Sequence, residues 1–144
     1  MSPAERRDDR GSAMIEYVVV VGAVVAPLVY LIVLLADVQA AAFASTSAAR
    51  EAGRVAVAEQ STGDGAPEPA GQAAADLVLQ DFGIEHGTTQ VLCTGCDAPE
   101  GQVTAITTVE VPLPGLARLG VTGPSVVTLT AEHTEPLDLH RELP

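Results

Sequence analysis

The 144-residue chain contains no lysine; all seven of its basic residues are arginines, set against 19 Asp and Glu, for a formal net charge of −12. A surface this acidic repels a phosphate backbone, and the arginines form no stripe, so nucleic-acid binding is not expected. Tryptophan is absent too, and Phe and Tyr number two each. The apolar 47% is therefore mostly Ala, Val and Leu, which fill helices and strands but line few large pockets, so a compact enzyme core is not expected. With two cysteines and three histidines the chain has little from which to build a metal centre: His86, His133 and His140 show no ligand spacing, and Cys93 and Cys96 would need two further ligands. Glycine-rich phosphate loops, G-x-S-x-G and H-E-x-x-H are missing, and the carboxylates are spread without a paired setting. Pairs such as Glu132 and Glu135 read as solvated strand-edge charges. No catalytic residue is assigned, and neither a cofactor nor a small-molecule substrate is implied.

Mean hydropathy is nevertheless positive, so the apolar residues must be concentrated. They are: Tyr17 to Ala36, YVVVVGAVVAPLVYLIVLLA, carries no charge. Twenty helical residues rise about 30 Å, the hydrocarbon thickness of a bilayer. A cleaved secretory signal would have a shorter apolar region and a small-x-small site, which Ala36-Asp37-Val38-Gln39-Ala40 supplies poorly. A retained single-pass anchor is expected. Arg6, Arg7 and Arg10 precede it while the next arginine is Arg50, so the N-terminus is expected to stay cytoplasmic. The region from Asp37 onward, with 15 acidic residues against Arg50, Arg54, Arg118 and Arg141, then lies outside the membrane with a net charge of −11.

The pattern predicts an α+β chain. Residues 1–11 read as a cytoplasmic leader, and residues 12–60 as one long helix, kinked near Pro27, whose segment 17–36 crosses the membrane. A Gly/Pro/Ser-rich linker follows at 61–71. The remaining 72–144 would make a small extracytoplasmic domain: a short helix over Gln72–Phe82 stopped by Gly83, then an antiparallel sheet from 88–93, 102–111 and 125–134. On the short helix Ala74, Leu77, Val78 and Phe82 share a face. Beyond the anchor, the long helix repeats small residues at Val38, Ala42, Ser45, Ala49, Ala52 and Ala56, a seam for close helix contact, with Ala40, Ala41, Ala44 and Ala48 off that stripe.

Cys93-Thr94-Gly95-Cys96 falls in a strand turn rather than at a helix N-terminus, where a reactive thiolate would be stabilised. A structural disulfide pinning the hairpin is expected; an anchored thiol-redox protein is the alternative chemistry. Glu16 sits at the head of the apolar block, where a carboxylate is costly unless it reaches the interface or finds a partner.

Arg10-Gly11-Ser12-Ala13-Met14-Ile15-Glu16-Tyr17 resembles the G-x-x-x-x-E-[YF] processing site of the type IV pilin superfamily. Ala48-Ala49-Arg50-Glu51-Ala52-Gly53-Arg54 resembles the signature of TadE-like minor pseudopilins of tight-adherence (Flp) pilus systems. The resemblance implies a non-enzymatic component of a pilus assembly or secretion machine in the cytoplasmic membrane. It implies cleavage between Gly11 and Ser12 by a prepilin peptidase and a helix-pairing role for Glu16. The implied partners are other pilins or pseudopilins, platform proteins of the machine and membrane lipid. A single-pass envelope scaffold or sensor that is not processed shares the topology.

Overall fold

The computed structural model describes residues 8–62, 66–96, 101–113 and 127–137. Its elements are α1 (Asp8–Thr62), α2 (Pro67–Asp81), β1 (Gly87–Thr94), β2 (Gln102–Val111) and β3 (Val127–Pro136), the α+β composition that the sequence predicts. The chain divides into two compact units, Met1–Ala36 and Asp37–Pro144. In the first, the described residues form one continuous stretch of α1 that includes Pro27.

The second unit contains the rest of α1, α2 and the sheet. The sheet is a meander in the order β1-β2-β3, antiparallel throughout. Register places Val91 opposite Ala105, Cys93 opposite Val103 and Val109 opposite Leu129. Alternation follows from the strand period of two: on β2 the side chains of Val103, Ala105, Thr107, Val109 and Val111 are buried. The intervening positions on β2 face away from the core, where Thr104 and Thr134 (3.0 Å) and Thr108 and Thr130 (3.3 Å) pair their hydroxyls across to β3. Thr107, fully buried, shares a hydrogen bond with Thr89 at 3.0 Å, which offsets the cost of burying its hydroxyl.

What covers that inner face is a row of small side chains. Ala41, Ala44, Ala48, Ala52 and Ala56 of α1 are buried in one cluster with Ala75, Leu79 and the inward valines. This corrects the expected seam: Ala42 is exposed, whereas Ala41, Ala44 and Ala48, placed off the stripe by sequence, belong to the packed face together with Ser45, Ala49, Ala52 and Ala56. Alanine on both sides of the true face hides its phase, and the sheet decides which alanines are covered.

The helix boundaries also move. α1 starts four residues before Ser12 and ends two after Gln60. α2 starts at Pro67 rather than Gln72, so much of the expected linker is helical; Pro67 suits the first turn because its missing N–H had no partner there. With the earlier start the packed face becomes Gly71, Ala75 and Leu79, while Leu77 (64% exposed) and Phe82 (46%) point away from it. The helix stops where expected: Gly83 takes φ +70°, and the Ile84 N–H donates to the Leu79 carbonyl at 2.9 Å, a Schellman closure. β3 begins and ends two residues later than the expected 125–134. Glu135 is half-buried beside His133, not a freely solvated edge charge, while Glu132 is exposed as expected.

Gly71 generates a test of this packing. A Cβ built there would lie 2.7 Å from the Ala52 carbonyl oxygen and 3.2 Å from the Ala56 Cβ. In a free helix Gly→Ala stabilises by about 1 kcal/mol. Here the sign should reverse, with Gly71→Ala lowering stability by about 1–3 kcal/mol as two backbones are forced apart. Thermal and urea melts of the wild-type and variant chains check it.

Candidate functional site

Two features carry the functional argument: the apolar stretch of α1 within Met1–Ala36 and the cystine turn between β1 and β2. From Met14 to Leu35 every large apolar side chain of α1 is exposed except Leu34, which is partly so. Met14 is 73% exposed and Leu31 58%. At roughly 1.5–3 kcal/mol for each such side chain left in water, the surface carries a cost on the order of tens of kcal/mol unless another apolar medium covers it. The helix is long and apolar enough to cross a membrane, and none of its most apolar window is buried against the rest of the chain.

The predicted processing residues Gly11 and Ser12 fall inside α1. Glu16 is exposed on the same helix, one turn beyond Ser12 at the i,i+4 spacing that sets two residues on one face, and it has no side-chain partner among the described residues. The leader residues 1–7 lie outside the described residues.

The Ala48–Arg54 segment separates into two faces. Ala48, Ala49, Ala52 and Gly53 are buried, and a Cβ at Gly53 would touch Glu135 Cγ and His133 Cδ2 at 3.4 Å, so this face of α1 meets the inward residues of β3. His133 Nε2 and Glu135 Oε1 are hydrogen-bonded at 2.9 Å. Arg50 and Arg54 are exposed. Arg54 Nε donates to Glu51 Oε2 at 2.9 Å one turn back, and this hydrogen bond, with the attraction of the guanidinium, holds the Glu51 carboxyl below its ordinary range. The pair favours the fold above the ordinary carboxylate range, and that contribution is lost as pH falls through the depressed Glu51 value. A carboxyl-carbon NMR titration should find Glu51 titrating below the ordinary glutamate range, and Arg54→Ala should return it to that range.

Cys93 and Cys96 are disulfide-bonded, with their Cα atoms 5.9 Å apart. Three things position the turn. Cys93 ends the inward row of β1 opposite Val103, and Cys96 is partly buried against the core. Gly95 takes φ +67°, a conformation open to glycine at little steric cost, and Gly101 lies so close beneath it that a Cβ would collide with the Gly95 carbonyl oxygen. The Gln60 amide, near the end of α1, donates to the Cys96 carbonyl at 3.4 Å. Sequence reasoning found the disulfide but missed Gln60; a lone glutamine in the last turn of a helix carries no signal of a contact 36 residues away.

Among the described residues no group of three or more His, Cys, Asp or Glu is placed to hold a metal ion. Comparison with protein-family models, with curated proteins and with solved structures returned no match.

The disulfide should be intact in the mature chain, so mass spectrometry without reduction should find it two mass units lighter than after reduction. Because the closed loop is so short, Cys93→Ser with Cys96→Ser should cost less than the roughly 3 kcal/mol of a 15-residue loop. Two free thiols in protein from its native envelope would refute the structural role.

Proposed function

We propose that the chain is a membrane-anchored, pseudopilin-like structural component of a tight-adherence pilus assembly or secretion machine, without enzymatic activity. In this reading α1 anchors it in the cytoplasmic membrane with the unit from Asp37 onward outside. The observation that carries the proposal is the Gly11 to Glu16 spacing at the head of a helix whose apolar side chains are exposed from Met14 to Leu35. Cleavage after Gly11 would free an ammonium at Ser12 on the face that holds Glu16. The two charges can then neutralise each other where water is scarce, offsetting a cost of about 2.5–3.5 kcal/mol for one charge at a helix centre in the bilayer. Such a pair also fixes the register of one helix against another. The rest of the chain supports the reading as a folded outer domain carried on the anchor. Its partners are then other pilins or pseudopilins, platform proteins and the prepilin peptidase.

One observation favours the unprocessed scaffold as a second reading. α1 begins at Asp8, ahead of Gly11, so the scissile peptide is helical and must be unwound before a peptidase can reach it. N-terminal sequencing of protein from the native host separates the two. The pseudopilin reading expects Ser12 as the first residue, a precursor eleven residues longer for Gly11→Leu, and normal cleavage but weakened association with pilus components for Glu16→Ala. An intact leader in the presence of the matching peptidase selects the scaffold.

A further inference from the structure

The outer unit carries a surface that its own chain leaves uncovered and a groove of matching character elsewhere on the same unit. At 100° per residue, Phe43, Arg50 and Arg54 fall within about 20° of one line along α1. The alanines packed under the sheet, from Ala41 to Ala56, are centred on the opposite side of the helix. Phe43 is 69% exposed, an unusual position for the only aromatic residue of this part of α1. Arg50 has no carboxylate partner among the described residues, although the chain has 19 acidic residues. Arg54 is bonded only to Glu51 of its own helix and remains 68% exposed. A stripe that joins an exposed ring to two guanidinium groups suits an apolar surface edged with carboxylates.

The same unit provides such a surface. A groove of about 400 Å³ opens where the start of this part of α1, the α2–β1 connection and the end of β2 meet. Phe82, Ile84 and Pro112 supply apolar lining, and Asp37, Glu85 and Glu110 supply carboxylates. Glu85 and Glu110 are exposed, and none of the three has a side-chain partner among the described residues. His86 also lines the groove, its carbonyl accepting from the Glu110 N–H at 3.1 Å.

We infer that the Phe43–Arg50–Arg54 stripe of one copy docks in the Phe82–Glu85–Glu110 groove of a second copy of this chain. The occupant is a second copy because both halves of the contact, a stripe with an exposed ring and two arginines and an apolar groove edged with carboxylates, are present on one outer unit. Stripe and groove are different patches, so a single contact leaves one stripe and one groove free, which either close on each other in a reciprocal pair or carry association along a row of copies. The contact is made by the outer unit and stands whether or not Gly11 is cleaved.

The test uses the full chain in zwitterionic detergent, with association followed by sedimentation. Wild type should associate, and raising NaCl from about 50 mM to about 500 mM should weaken the association as the charges are screened. Reversing the stripe (Arg50→Glu with Arg54→Glu) or the groove (Glu85→Arg with Glu110→Arg) should each weaken self-association by at least about tenfold, since like charges then face each other. Mixing the two variants makes every stripe–groove contact attractive again in mixed pairs or rows, and affinity should return to within about threefold of wild type. Circular dichroism shows that each variant is folded, and recovery on mixing answers for both at once. A monomeric wild type, an association that survives either reversal, or a mixture no tighter than its components overturns the proposal.

Discussion

The contact on which the unit from Asp37 onward depends is the close approach of α1 to the inner face of the sheet, and it is set by side-chain size. Val103, Thr107 and Val109 are the largest fully buried side chains of the unit, while α1 opposes them with Ala44, Ala48, Ala52 and Ala56 at no measurable exposure. An alanine surface loses almost no side-chain entropy on burial, and it lets the backbone itself make the dispersion contacts that large side chains usually supply. Such a core tolerates little change in either direction. Between α1 and α2 there is no long side chain to re-seat around an added methyl group, and Gly71 is accordingly wedged against the Ala52 carbonyl itself.

The scarcity of aromatic residues is thereby consistent with the fold. A thin layer of Ala and Val between one helix and a three-stranded sheet has no room for rings, and Phe43 and Phe82 accordingly lie outside it. The small core also explains the other links that close the unit. The Leu137 N–H donates to the Gly101 carbonyl at 2.7 Å, the Gln60 amide reaches the Cys96 carbonyl, and the disulfide closes the same corner. They hold the β1–β2 turn and the end of β3 where apolar burial alone is thin. In a unit with few large buried side chains, polar and covalent links at the periphery carry more of the fold than they would in a larger core.

Much of the fold was legible because period and composition agree. The strands announce themselves by β-branched alternation, as in Val103, Ala105, Thr107 and Val109, and Gly83 marks the end of α2. The misplaced seam has a plain physical origin: alanine carries no directional information. Where Ala40 to Ala42, Ala48 and Ala49 run together, hydrophobic periodicity cannot fix which face is covered, and the expected seam lost its phase at Ala42. The same ambiguity put Leu77 on the packed face of α2, since the glycine that makes the true contact, Gly71, reads in sequence as part of a linker. Among the site residues, the cystine turn was legible from spacing and strand context. The amide that braces it was not, because a contact between residues 60 and 96 is a property of the tertiary fold alone.

The pattern along α1 changes where the two units divide. From Tyr17 through Leu35 the helix is apolar on all sides, a pattern that no single protein face could bury whole. From Asp37 the same helix is sided: alanines packed under the sheet on one face, Thr46, Ser47, Arg50 and Arg54 exposed on the other. A surrounding hydrocarbon selects for apolarity without phase, whereas a sheet selects for small residues with phase. One uninterrupted helix thus changes its pattern within a residue or two of Ala36. That boundary coincides with the division of the chain into its two compact units.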